Sequence, residues 1–98
     1  MKITQKRDGN HVEIALEGRL DKTTVPQLEE TLNDIMGSAN SLTLDLGKLD
    51  YLSSAGLRVL LVAHEAMEEK GGLVVKNVNE FVRDVFEVTG FSDFLNIQ

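Results

Sequence analysis

The sequence predicts an α/β domain on a mixed β-sheet, an N-terminal antiparallel hairpin followed by βα units, with helices packed mainly on one face. Three observations predict it. Two alternating segments flank a turn at Asp8-Gly9, three later segments repeat apolar residues at helical spacing, and short apolar strands separate those helices. The order ββαβαβα(β) predicts a mixed sheet with helices packed against it. Ninety-eight residues, 42% of them hydrophobic, make a single domain over residues 1–98. A chain of this size buries roughly 65% of the surface its unfolded form exposes, enough for one core.

Taken in order, Lys2 to Arg7 and His11 to Glu17 are the hairpin strands. In the second, Val12, Ile14 and Leu16 take one face, opposite His11, Glu13, Ala15 and Glu17, which gives the sheet a buried and a wet side. The first helix opens with Thr24 as N-cap, Pro26 in the first turn and Gln27 at the capping-box position. Val25, Leu28, Leu32, Ile35 and Met36 form its apolar stripe, and Gly37 stops it. Ser41 to Leu46 is a strand. Ser54 to Lys70 is a long helix closed by Gly71-Gly72, apolar around well over half its girth near the N-terminal end. Such a helix is either central or presents a sticky end to a partner. Leu73 to Lys76 is the next strand, and Asn79 to Val88 a helix with Phe81, Val82, Val85 and Phe86 inward, followed by Gly90. The tail, Phe91 to Gln98, has room for one helical turn and a short last strand.

Composition removes several functions. With no cysteine there is no disulfide, thiolate nucleophile or thiolate metal site, and the polar N-terminus carries no apolar signal segment. No stretch approaches the roughly 20 apolar residues of a membrane helix. Together these predict a cytoplasmic protein. Ten Lys and Arg against 16 Asp and Glu leave a formal charge of −6, which repels nucleic-acid phosphates and anionic lipid.

The informative segment is Leu46 to Leu61, LGKLDYLSSAGLRVLL, read as a strand running into a loop that delivers two serines to a helix start. The first N–H groups of a helix lack internal partners and sit at the positive end of its dipole. An oxygen of Ser53 or Ser54 can cap them, and a phosphate can be held at the same place. Arg58, four residues beyond Ser54, shares its helical face.

Here the chain resembles the STAS family, in particular its bacterial anti-sigma factor antagonists. The run Ser53-Ser54-Ala55-Gly56-Leu57 is similar to the family's Asp-Ser-Ser-Gly-Leu-type signature and places the family's phosphorylated serine at Ser54, with Ser53 as a competing acceptor. Gly18-Arg19-Leu20-Asp21 followed by Thr24 resembles the family's Gly-x-Leu-Asp-x-x-Thr, and Asn77 followed by Val85 to Gly90 resembles the run closing its third helix. The sequence departs from the pattern in carrying Ser53 where the family has an acidic residue, and it ends near where the family adds a last helix. The resemblance implies partner switching. The unphosphorylated protein binds an anti-sigma factor, a serine kinase of histidine-kinase-like fold; phosphorylation of Ser54 releases it; a PP2C-type phosphatase resets it. It further implies a docking face of Asp21, Thr24, Ser53, Ser54, Gly56, Leu57 and Arg58; no residue pattern in the chain specifies a cofactor. A homodimer stays open, because an apolar face that suits a partner also suits a second copy.

Other functions fit less well. A Ser54 nucleophile needs an oriented base, yet His64 lies ten residues along the same helix, about 15 Å away at 1.5 Å per residue. Two histidines without i, i+4 spacing make no metal motif, and Gly71-Gly72 alone is no phosphate loop. The family's other role, a scaffold or adaptor subunit of a stress-sensing or lipid-transport complex without a phosphorylation switch, is the alternative expectation.

Overall fold

The computed structural model describes residues 1–98. Its elements are β1 (Lys2–Asp8), β2 (His11–Leu20), α1 (Val25–Met36), β3 (Ser41–Leu52), α2 (Ser54–Glu68), β4 (Leu73–Lys76), α3 (Glu80–Thr89), a one-turn 3₁₀ helix (Phe91–Asp93) and β5 (Asn96–Ile97). The five strands lie in chain order, β1 and β2 antiparallel and every later pair parallel. Because parallel crossovers are right-handed and the strand order advances in one direction, all three helices fall on the same face. The predicted α/β sheet with helices on one face is the fold observed.

That face is built from residues in register. Val12 opposes Leu42, Ile14 opposes Leu44, Leu42 opposes Leu73, and Leu44 opposes Val75, all buried. They join Leu28, Leu32, Leu60, Met67, Val82 and Phe86 from the helices in one continuous core. On the opposite, helix-free face Lys76 donates to Glu13 across 2.7 Å, which holds the ammonium pKa above its ordinary 10.5.

Several boundaries differ from expectation, each for a local reason. The hairpin turns at Gly9-Asn10 rather than Asp8-Gly9: Asp8 still pairs with His11, and Gly9 takes the positive φ of 62°. β2 continues past Glu17 to Leu20. β3 does not stop at Leu46, where alternation breaks; it runs to Leu52 as two β-bulges absorb the break. Ala15 faces Asp45 but Glu17 faces Lys48, and Gly18 faces Leu49 but Arg19 faces Tyr51, so β3 carries one extra residue at each step. Each extra residue inverts the alternation. Leu46, Leu49 and Leu52, three apart, therefore all point into the core.

The capping box expected at α1 is absent. Thr24 is the N-cap residue but makes no side-chain cap, and the Gln27 amide instead donates to Met1 O at 2.9 Å. α2 ends at Glu68 rather than Lys70, because the N–H groups of Lys70 and Gly72 both turn back onto Met67 O. In α3, Val82 and Phe86 are buried and Val85 half-buried, whereas Phe81 is 46% exposed and stacks on Tyr51 at 6.3 Å. Asn79 caps this helix by accepting from Val82 N at 2.9 Å while donating to Leu49 O at 2.7 Å, which ties α3 to the bulged part of β3.

α2 sits low on the sheet. A Cβ at Gly56 would lie 2.8 Å from Leu20 Cγ, 2.9 Å from Leu52 Cδ1 and 3.0 Å from Leu20 O. Gly56→Ala is therefore expected to destabilise the fold by about 1–3 kcal/mol through overpacking, despite alanine's better helix propensity. Gly37→Ala meets nothing within 4 Å at φ −73° and is expected to be neutral or to stabilise by up to about 1 kcal/mol. Thermal unfolding of the two variants checks the contrast.

Candidate functional site

The end of β3 hands the chain directly to α2, and the two serines there have different duties. Ser53 follows Leu52 with extended backbone (φ −92°, ψ 173°), and its N–H donates to Leu20 O at 3.0 Å. Its hydroxyl accepts from Gly56 N at 3.3 Å, so Ser53 is the N-cap. Leu57 N donates to Ser53 O at 2.9 Å, the first bond of the helical ladder. Ser54 is the first helical residue. It is exposed, and its hydroxyl makes no hydrogen bond within the chain. The N–H groups of Ser54 and Ala55 are left at the positive end of the helix dipole.

The β2–α1 loop lies beside this turn, joined to it through Leu20, and is stiffened from within. Asp21 Oδ1 accepts from Thr23 Oγ1 at 2.6 Å, Thr23 N at 2.9 Å and Thr24 N at 3.3 Å. Thr24 Oγ1 donates to Arg19 O at 2.7 Å and accepts from Asp21 N at 3.0 Å. The hydrogen bond from Thr23 Oγ1 is the main cause holding the Asp21 carboxyl below its ordinary pKa of 3.8, with backbone donors from Thr23 and Thr24 and the Arg19 charge adding to it against partial burial. Arg19 Nε is 3.5 Å from Asp21 Oδ2, and its guanidinium lies 4.2 Å from the centroid of the Tyr51 ring. Asp21 and Thr24 thus spend their polar atoms on the loop itself.

The structure gathers the named residues unevenly. Ser54 and Arg58 line one wall of an open groove of about 540 Å³ between α1 and α2, together with Ala55, Val62 and Ala66; Val25, Glu29 and Met36 stand opposite. Arg58 is exposed and forms no ion pair. Gly56 and Leu57, expected at the docking face, are instead part of the interior: Gly56 is buried against Leu20 and Leu52, and Leu57 is only 7% exposed. They shape the face from beneath. Leu20 and Leu52, which form the bed of α2, were not singled out in the sequence; a glycine in the first turn of an otherwise apolar helix is the signal that marks such a close approach.

Neither histidine contacts Ser54. His11 bridges Ser41 Oγ at 2.6 Å and Thr43 Oγ1 at 3.1 Å. His64, on the face of α2, is largely buried: its Nε2 pairs with Glu68 at 2.8 Å and its ring lies against Phe94. No group of three or more His, Asp or Glu side chains converges as a metal site, and no helix is long and apolar enough to cross a membrane.

This combination of a bulged mixed sheet, helices on one face and a serine at the exposed start of the second helix is that of a STAS domain. A family model described as "Mlab, STAS domain" matches residues 3–96, and the chain belongs to the STAS domain family. BtrV of Bordetella bronchiseptica, a candidate anti-sigma factor antagonist by name, is 40% identical over 93 residues, spanning 93% of this chain and 80% of BtrV. Among solved structures, an anti-sigma factor antagonist from Mycobacterium paratuberculosis superposes with a TM-score of 0.89 at 22% identity, covering 98% of this chain and 83% of that one. The Bacillus cell fate determinant SpoIIAA in its phosphorylated form gives a TM-score of 0.77 at 20% identity, covering 99% and 91%.

The different duties of the serines predict different losses. Ser53→Ala removes a cap and is expected to cost about 1 kcal/mol of stability; Ser54→Ala removes no bond and is expected to stay within about 0.5 kcal/mol of the parent. Denaturant titration of both variants checks this. Because the folded pKa of Asp21 is depressed, its carboxylate supports the loop fully above pH 3.8 and loses that role as pH falls through its lower folded value. The amide resonances of Thr23 and Thr24 are expected to stay constant down to about pH 4 and to titrate only below pH 3.8.

Proposed function

We propose that this STAS domain is an anti-sigma factor antagonist that binds an anti-sigma factor serine kinase while Ser54 is free and is released when that kinase phosphorylates Ser54. The observation that carries the reading is the division of labour at the start of α2: Ser53 is consumed by the cap, and Ser54 stands outside it, exposed and unbonded. The names of the relatives point the same way. The docking face comprises Ser54, Ala55 and Arg58 with the Asp21–Thr24 loop, set on Gly56 and Leu57. A PP2C-type phosphatase restores the binding form, and the cycle runs in the cytoplasm.

A phosphate adds about −1.5 to −2 charges. One unit pair at about 4 Å against a partner carboxylate costs of order 4 kcal/mol at an effective dielectric near 20. A micromolar contact is worth about 8 kcal/mol, so a single such clash weakens it to the millimolar range. Within the chain itself the same charge is accommodated, because the free N–H groups of Ser54 and Ala55 and the helix dipole favour an anion there. The modification therefore changes the surface and leaves the fold intact.

Titration calorimetry against the cognate anti-sigma factor tests this. Ser54→Ala is expected to bind and to resist release by ATP. Ser54→Asp is expected to lose binding by about a hundredfold or more with an unchanged or slightly raised Tm. Equal binding by the two variants would refute the switch.

A further inference from the structure

The outer face of α2 has a second property. Ser54, Arg58, Val62, Glu65, Ala66 and Glu69 are all exposed and recur at spacings of three and four, falling within an arc of about 120°. Val62 stands at its centre and is 60% exposed, the one large apolar side chain of the helix that is open to this degree. Charge along this stripe is divided: Arg58 is in the N-terminal half, Glu65 and Glu69 in the C-terminal half, and Arg58 is without an ion pair in the chain. Ala55 and Ala66, small residues at the two ends, leave the adjoining groove open on the side of α1.

We propose that α2 pairs antiparallel with α2 of a second copy of this chain about a two-fold axis between Leu61 and Val62. The stripe's own midpoint sets the register. Antiparallel pairing about that point puts Arg58 opposite Glu65 of the second copy, Ser54 opposite its Glu69, and Val62 beside its Leu61. A two-fold axis repeats every contact, so the one cation of the stripe meets an anion twice and the two exposed valines both lie next to the axis, each against Leu61 of the other copy. The same charges in a parallel pair would put like opposite like. Self-pairing uses Ser54 and Arg58, so it excludes the partner contact proposed above, and the Ser54 hydroxyl facing Glu69 makes it sensitive to negative charge at Ser54. Self-pairing does not depend on the anti-sigma factor reading, since the oligomeric state is measured on the isolated chain.

The chain has no cysteine, which allows a direct test. Sedimentation equilibrium is expected to show a reversible dimer, converted to monomer by Val62→Glu with unchanged circular dichroism. Arg58→Glu is expected to weaken the dimer by about tenfold or more, and Arg58→Glu with Glu65→Arg to restore it. Under mild oxidation Val62→Cys is expected to form a disulfide-linked dimer rapidly, whereas Lys6→Cys, on the exposed β1, does so only slowly. A parent chain that stays monomeric at about 100 μM, well above the concentration where a micromolar dimer forms, would overturn the proposal. So would a charge swap that fails to restore pairing, or equal crosslinking by the two cysteine variants.

Discussion

The seating of the first turn of α2 on the seam between β2 and β3 governs the rest of the structure. Ser53 N donates to Leu20 O, and the bare α-carbon of Gly56 rests against Leu20 and Leu52 at distances a side chain cannot enter. That contact exists because Leu20 and Leu52 are paired at the ends of their strands, and they are paired because two bulges in β3 bring Leu46, Leu49 and Leu52 successively to the same face. Remove a bulge and the alternation would send Leu52 to the wet side, leaving α2 without its bed. With the bed in place, the orientation of the start of α2 is decided: the Gly56 α-carbon and the Leu57 side chain lie inward, Ser54 and Arg58 outward.

Much of this was legible in the sequence, and the failures share a cause. The regular alternation of Val12, Ile14 and Leu16 and the 3.6-residue stripe from Val25 to Met36 report a residue's own element, so the hairpin, the helices and the sheet class were readable. Bulges report a neighbour. The run Gly47-Lys48-Leu49-Asp50-Tyr51-Leu52 breaks alternation and resembles a loop unless the opposing residues of β2 are known. Likewise Gln27 stood at a capping-box position, but the Met1 carbonyl, contributed by a distant part of the chain, took its amide. Phe81 looked inward by periodicity, yet the ring of Tyr51 gave it a surface partner.

At the site, the resemblance singled out Ser54 while the residues alone left Ser53 and Ser54 equivalent as caps. The backbone separates them. Extended geometry at Ser53 aims its oxygen at Gly56 N, and the next residue is already helical. Leu57 was misjudged because an apolar residue just after the serines suits a sticky surface as well as a core, and only the depth at which α2 sits decides between them.

The arrangement suits a reversible charge signal. A phosphate at the first helical position would meet unpaired N–H groups and a favourable dipole, so the proposed modification would leave the fold in place while making the surface repulsive. At Ser53 a phosphate would instead compete with Gly56 N for the cap and loosen the turn that positions everything else. The most direct measurement is phosphopeptide mapping of the chain after incubation with its cognate kinase and ATP, and of the same chain isolated from its native host. A single phosphate on Ser54 with Ser53 unmodified is expected; phosphate on Ser53 instead, or none under either condition, would contradict a switch at Ser54.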